Sequence, residues 1–390
     1  MLLNMILPII EELNEDIAER GELIECLVIA LLTKKNVFVL GDTGQAKSYA
    51  INELRKRIIG AKQFERLLSK QTDEDALLGR ISVNSVLDDN PKIITTGKLP
   101  EAHIVFLDET FKCNDGVLNS LLTAMNERKY TNEGEVVDIP AISFIGASNE
   151  IPNFNNPEEQ ILRALYDRFE LKVVTKYIQD RSNRLRLLLH KQNGKAERVT
   201  STITLDNLYD MQQEVASVCV PEQINELMDD ILCELRSLGV HVSDRKFLNY
   251  YPITQAKAWL SGRDMVEVSD LSLMKYYFWN TPEEVATIQN VLDKYCLSPF
   301  EEELKHLIAM ADESYESFTN ATSASLNPNG AIVKFRGELK KIYHKVKKMS
   351  VGVDDATTEI AAETAIAELE EISKKAHAKV GAALVPLHLL

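Results

Sequence analysis

Three short apolar runs, VFVL at 37–40, IVFL at 104–107 and ISFIGA at 142–147, interrupt a chain whose other apolar positions recur mostly every three or four residues. Runs of this length bounded by Gly, Asp and Asn predict buried strands, and the spacing elsewhere predicts helices. MLLNMILPII reads as the apolar face of a first helix, and residues 10–35 continue at helical spacing with acidic residues opposite, predicting a solvated helix. After the first strand, a helix is expected from about Ser48 to Ile59, closed by Gly60. Residues 64–102 carry the turn signals Asp88-Asp89-Asn90-Pro91 and Thr96-Gly97, so they predict a hairpin-like or irregular insertion between two core strands. A helix with Leu118, Leu121, Leu122 and Met125 on one face follows the second strand. A hairpin turning at Asn132-Glu133-Gly134 comes next.

The latter half reads differently. Residues 171–290 are helix-rich, with Gly239 ending one helix and Ser243 or Asp244 capping the next. Aromatic residues there, Trp259, Tyr276, Tyr277, Phe278 and Trp279 among them, read as packed core. Residues 313–330 are polar with turn-forming residues and predict a linker. A basic helix over 334–349 and an Ala/Glu-rich helix over 354–379 are expected after it.

The chemistry gathers at the strand ends. NVFVLGDTGQAKS, residues 36–48, is a strand, a glycine-bearing loop and a helix start, matching the phosphate-cradle pattern G-x-x-x-x-G-K-[ST] at Gly41, Lys47 and Ser48, with Ala46 in place of the second glycine. Backbone N–H groups at a helix N-terminus face phosphate oxygens, a lysine ammonium compensates the β/γ charge and a hydroxyl serves Mg²⁺. Alanine keeps the N–H and fits a helical conformation, so Ala46 is acceptable provided that the position does not require positive φ. Gly41, Asp42, Thr43, Gly44, Gln45, Ala46, Lys47, Ser48 and Tyr49 form the candidate nucleotide-binding set. HIVFLDE ends in two carboxylates, of which Asp108 can join Ser48 in holding Mg²⁺ while Glu109 can orient and deprotonate an attacking water. The third strand runs into Asn149, whose amide suits a water or a phosphate oxygen.

Length predicts two or three domains, and a net charge of −15 disfavours a general nucleic-acid or anionic-membrane surface. Five cysteines without C-x-x-C spacing read as reduced thiols of a cytoplasmic protein rather than a zinc site or disulfide frame. The ten residues before Glu11 are too few for a membrane span, so no membrane insertion is expected.

Taken together, FVLGDTGQAKS, IVFLDE, LLTAMNERKY, FIGASNEIP and ALYDRF resemble an AAA+ ATPase of the MoxR group. The Ala-for-Gly loop, GKLPEAHIVFLDE and VSDRKF are most similar to its RavA branch, and the resemblance covers roughly residues 10–295. It implies an α/β P-loop NTPase with a parallel-sheet core (1–175), an all-α lid (176–295) and a mainly helical C-terminal region (296–390). By position it implies Walker A at Gly41, Gly44, Lys47 and Ser48, Walker B at Asp108 and Glu109, and sensor 1 at Asn149. Residues 81–102 would be the helix-2 insert and residues 127–142 the hairpin before sensor 1, both facing a pore. Arg168 resembles the arginine finger acting in trans, with Arg163 competing for the role, and Arg245 resembles the sensor 2 arginine contacting nucleotide in cis. The implied activity is Mg²⁺-dependent ATP hydrolysis by a hexameric ring that remodels a protein client, often one with a von Willebrand A domain. The alternative is a nucleic-acid-acting AAA+ ATPase of a transposition or defence system, touching phosphates through the 334–349 helix or Lys98.

Overall fold

The computed structural model describes residues 2–82, 93–132, 135–193, 199–324, 328–350 and 356–389. They form two compact units, Met1–Leu292 and Asp293–Leu390.

In the first unit five strands make one parallel sheet: β1 (Val37–Leu40), β2 (Gln63–Leu67), β3 (Ile104–Asp108), β4 (Ser143–Ser148) and β5 (Leu171–Val174). Their order across the sheet is β5-β1-β4-β3-β2, and every neighbouring pair is parallel. The central strands are buried on both faces, as their unbroken apolar runs require. Helix α1 (Leu3–Asp16), α2 (Gly21–Thr33), α3 (Lys47–Lys56) and α4 (Asp115–Glu127) flank the sheet. Asn114 caps α4 by accepting from Val117 N–H at 2.9 Å. Its apolar face (Leu118, Leu121 and Met125) then packs with Phe144, Leu107 and Phe169 in one core.

Two expectations for this region change. Residues 10–35 are not one solvated helix but the end of α1 and a separate α2, whose residues Cys26–Leu32 are all buried. The seven consecutive apolar residues of that stretch leave no polar face, so from Cys26 to Leu32 α2 lies inside, and the helix packs against α1, β5 and the helices Leu205–Ala216 and Tyr251–Leu260. Helix α3 ends at Lys56 rather than Ile59. Arg57 is fully buried against Glu53, Asp16 and Glu12, and Ile58–Ile59 turns away to pair with Ile203–Thr204.

The hairpin pairs Lys129–Asn132 with Glu135–Asp138, and Glu133 and Gly134 of its turn lie outside the described residues. Arg80–Ile81 pairs antiparallel with Ile93–Ile94, while the Asp88–Pro91 turn between them lies outside the described residues. Beyond β5 the unit is helical, with α5 (Arg163–Tyr166) just before that strand and α6 (Arg181–Gln192) and α7 (Asp244–Phe247) after it. Ser243 caps α7 by accepting from Lys246 N–H at 3.3 Å.

The second unit is built on α8 (Pro299–Ala324), α9 (Pro328–Ser350) and α10 (Ala356–Val380), around Leu307, Phe318, Phe335, Leu339, Val346 and Leu369. The linker expected over 313–330 is absent as such. Helix α8 continues to Ala324 because Ala311, Tyr315 and Phe318 extend its apolar face at helical spacing, with the turn-forming polar residues on the other side; residues 325–327 lie outside the described residues. The basic residues of α9 lie largely on its exposed side, with Lys345 paired to Glu303 and Lys334 to Glu338. Among the described residues no helix is long and apolar enough to cross a membrane, and all five cysteines are free.

Candidate nucleotide site

Register alone brings three chemical elements into one row. Leu40 of β1 pairs with Ser148 of β4, and Ala147 of β4 with Asp108 of β3. The loop after β1, the carboxylates after β3 and Asn149 after β4 therefore leave the sheet at one edge, at the carboxyl ends where parallel sheets bind ligands. Asp108 stands two strands from Leu40, about 10 Å at the usual strand spacing.

The loop closes tightly on itself. Gly41 N–H donates to Ser148 O at 3.0 Å, and a side chain at Gly41 would meet Thr175 Oγ1 at 2.1 Å and Gln45 Oε1 at 2.3 Å. Thr175 Oγ1 donates to Gln45 Oε1 at 2.6 Å, tying the loop to the end of β5. Lys47 opens α3, and its ammonium folds back onto the Gly41 carbonyl. Burial pushes its pKa down, while Asp108, Glu109 and Asp42 oppose the shift, which places the three carboxylates in the field of the ammonium.

Ala46 departs from expectation. It sits at φ 61°, ψ 25°, the left-handed region, rather than in a helical conformation. An L-residue there costs about 1 kcal/mol or more, which a glycine avoids. Ala46→Gly is expected to raise the urea midpoint, by about 0.5–1 kcal/mol of stability, with m unchanged. A lower midpoint would show that the strain is absorbed elsewhere.

Beside the loop lies a pocket of about 320 Å³ lined by Ile17, Ala18, Tyr49, Tyr177, Ile178 and Leu187, together with Gly44–Ala46. Of these walls only the loop and Tyr49 carry a sequence motif; the remaining walls come from the α1–α2 connection and the segments after β5, where no motif marks them. Buried Arg20 fastens these parts, donating to Gln45 O at 3.0 Å and to Lys176 O at 2.6 Å. Arg184 also lines the pocket. Arg245 is absent from its walls.

Asp108 Oδ1 accepts from Glu109 N–H at 3.0 Å, and Glu109 adopts φ 51°, ψ 46°. A left-handed non-glycine residue at a strand end is strain of the kind stored at functional sites. The Glu109 carboxylate lies 3.1 Å from Lys112 Nζ. Asn149 is exposed immediately after β4. Ser48 follows Lys47 in the first turn of α3 and is partly buried.

Arg168 follows α5, bonded to Ala164 O, with its Nε buried and unpaired by any protein acceptor among the described residues. Burial, and after it the positive charge of Arg245, hold its pKa below the usual guanidinium range. Arg163 is exposed on α5.

The profile of the MoxR domain in MoxR-vWA-beta-propeller ternary systems matches residues 4–213, more than half of the chain. This chain belongs to the MoxR family of AAA+ ATPases. An AAA lid domain profile matches residues 221–292 of this MoxR protein. Two uncharacterized proteins of Methanocaldococcus jannaschii are each 35% identical to it, one over 285 residues (72% of this chain, 73% of the relative) and one over 284 (72% and 72%). A structural protein of Acidianus two-tailed virus is 29% identical over 167 residues, 42% of this chain and 26% of that protein. A crystal structure of a candidate ATPase from Cytophaga hutchinsonii superposes with a TM-score of 0.61 at 19% identity, covering 75% of this chain and 94% of that one; it shares the fold.

The donor set suits a nucleotide with Mg²⁺. Among the described residues no cluster of three or more His, Cys, Asp or Glu could hold a metal by itself. A Mg²⁺ ion held by one or two protein oxygens, phosphates and water needs no such cluster, and Ser48 and Asp108 offer those oxygens.

Proposed function

We propose that this MoxR protein is a ring-forming ATPase that remodels a protein partner. The observation that carries the reading is the row of Lys47, Asp108, Glu109 and Asn149 at one sheet edge beside the pocket. In this reading the loop N–H groups and Lys47 bind the phosphates, and the base lies among Ile17, Ala18, Tyr177 and Leu187. Ser48 and Asp108 would hold Mg²⁺, which would supply neutralisation of the phosphate charge. Glu109 takes a proton from water, and Asn149 orients that water.

The Arg168 Nε, without a protein partner among the described residues, supports Arg168 as the finger acting in trans on a neighbouring subunit, with Arg245 as the sensor 2 arginine acting in cis. Residues 1–175 are assigned to the α/β part, 176–295 to the lid and 296–390 to a helical appendage. The profile's association with vWA proteins supports a partner bearing a von Willebrand A domain. A hexameric, cytoplasmic assembly close to the RavA branch completes the proposal.

Lys47→Ala tests the phosphate role. Removing the ammonium leaves the β/γ charge uncompensated, so ATP affinity measured by calorimetry is expected to fall by about tenfold or more, the weight of one charged hydrogen bond. Undiminished binding rejects the assignment.

A further inference from the structure

The turn between α1 and α2 grips both sides of the pocket through two consecutive side chains. Arg20, 5% exposed and immediately before α2, donates to three backbone carbonyls: through Nε to Gln45 O at 3.0 Å, through Nη2 to Lys176 O at 2.6 Å and through Nη1 to Glu19 O at 2.7 Å. These acceptors are carbonyls rather than carboxylates, so the bonds fix peptides instead of cancelling a charge. Glu19 adopts φ 58°, and its carboxylate accepts from Gln179 N–H at 2.8 Å, Asp180 N–H at 2.9 Å and Asn183 Nδ2 at 3.1 Å, where α6 begins. Arg20 is thus seated from the segment after β5 and reaches from there to the phosphate loop.

What it holds in that loop is one peptide unit. No peptide bond among the described residues is cis, and across a trans peptide the carbonyl and the following N–H point in opposite directions. With the Gln45 carbonyl turned onto Arg20, the Ala46 N–H faces away from it. The Gln45 side chain is pinned as well, accepting from Thr175 Oγ1 at 2.6 Å. On either side of Gln45 the chain is left-handed, Gly44 at φ 81° and Ala46 at φ 61°.

An alanine in that region has a way to relax. Turning over the Gln45–Ala46 peptide by about 180° would carry Ala46 to φ of about −120°, an unstrained value for alanine. The same turn would bring the Ala46 N–H round to the guanidinium, a donor against a group that has no acceptor. Arg20 therefore opposes the one rotation that Ala46 favours. We propose that Arg20 is a positioning residue for nucleotide binding, locking the Gln45–Ala46 peptide so that the Ala46 N–H stays among the donors that face the phosphates. This rests on the reading of the loop as the phosphate cradle. It also accounts for an alanine where the motif has glycine: the strain at residue 46 is held by a bond made from residue 20.

The test measures affinity for ATP and for inorganic tripolyphosphate, which has no base, by calorimetry on the full-length parent, Arg20→Met, Ala46→Gly and the double variant, with kcat and Tm alongside. Arg20→Met is expected to weaken both ligands by about tenfold, the weight of one lost phosphate contact, with kcat at saturating ATP within about twofold of the parent. Glycine is unstrained at positive φ, so a loop with Ala46→Gly has less to gain from the turned peptide. The double variant is therefore expected to recover most of the lost affinity, a non-additivity that general destabilisation would not produce.

If Arg20→Met does not fold, Arg20→Lys carries the test. Its single ammonium keeps the charge but lacks the fork that reaches Gln45 O and Lys176 O together, so both ligands are expected to bind about threefold more weakly, with recovery again from Ala46→Gly. Parental affinity for tripolyphosphate in the Arg20 variants overturns the proposal, as does a loss confined to ATP, which would assign Arg20 to the base walls, or a loss that Ala46→Gly leaves in full. Lys47→Ala distinguishes this failure from that of the cradle itself: undiminished tripolyphosphate binding there rejects the cradle, whereas weakened binding there beside parental binding in the Arg20 variants rejects only the role of Arg20.

Discussion

Glu109→Gln is expected to bind ATP as tightly as the parent and to lose turnover by about 10²–10⁴-fold, the usual contribution of a positioned general base. The amide preserves size and can still lie against Lys112, but it cannot accept the proton of water. The phosphate loop, Lys47 and Asp108 are untouched, so binding measured by calorimetry isolates the chemical step. Phosphate release at the parental rate would reject Glu109 as the base and leave its left-handed backbone without a catalytic purpose.

Arg168→Ala is expected to reduce hydrolysis by about 10³-fold or more, as with arginine fingers of other P-loop enzymes, while each subunit still binds ATP through its own Lys47. Mixing the two dead proteins separates trans from cis action. Where a Glu109→Gln subunit supplies Arg168 to an Arg168→Ala subunit with an intact loop and Glu109, every catalytic group is present, so mixed rings are expected to regain ATPase activity. Co-purification of two differently tagged variants establishes that subunits exchange. Mixed rings that stay inactive count against a trans Arg168, and a parent that remains monomeric with ATP at micromolar concentration counts against the ring. The truncation removes a partly buried guanidinium bonded to Ala164 O, so an unchanged Tm is the control for folding.

Much of the site was legible in sequence because its groups lie at fixed short offsets from buried strands. A four-residue apolar run ending at Leu40 predicts where a loop must start, and the spacing from Gly41 to Lys47 is set by one turn of backbone. Likewise Asp108 and Glu109 end a strand that is apolar throughout. Even so, the motif did not reveal that Ala46 is left-handed, because φ at that position follows from how the loop closes against Ser148 and Thr175. The linker expected over 313–330 failed for a related reason: turn-forming residues on an exposed face do not stop a helix whose other face is buried at Phe318.

By itself, the sequence determined the strand ends, the helical character of the second half and the candidate groups for phosphate binding, since these depend on local periodicity and short spacing. Only the tertiary structure decided which distant residues meet. Ile17 and Tyr177 share a pocket wall, Arg20 clamps the loop to Lys176, and Lys172 bonds Trp279. Those meetings join segments up to about a hundred and sixty residues apart, and they follow from the order β5-β1-β4-β3-β2 and from helices packing over it. No local pattern encodes them, because each residue's own neighbours in the chain are satisfied whether or not the partner arrives.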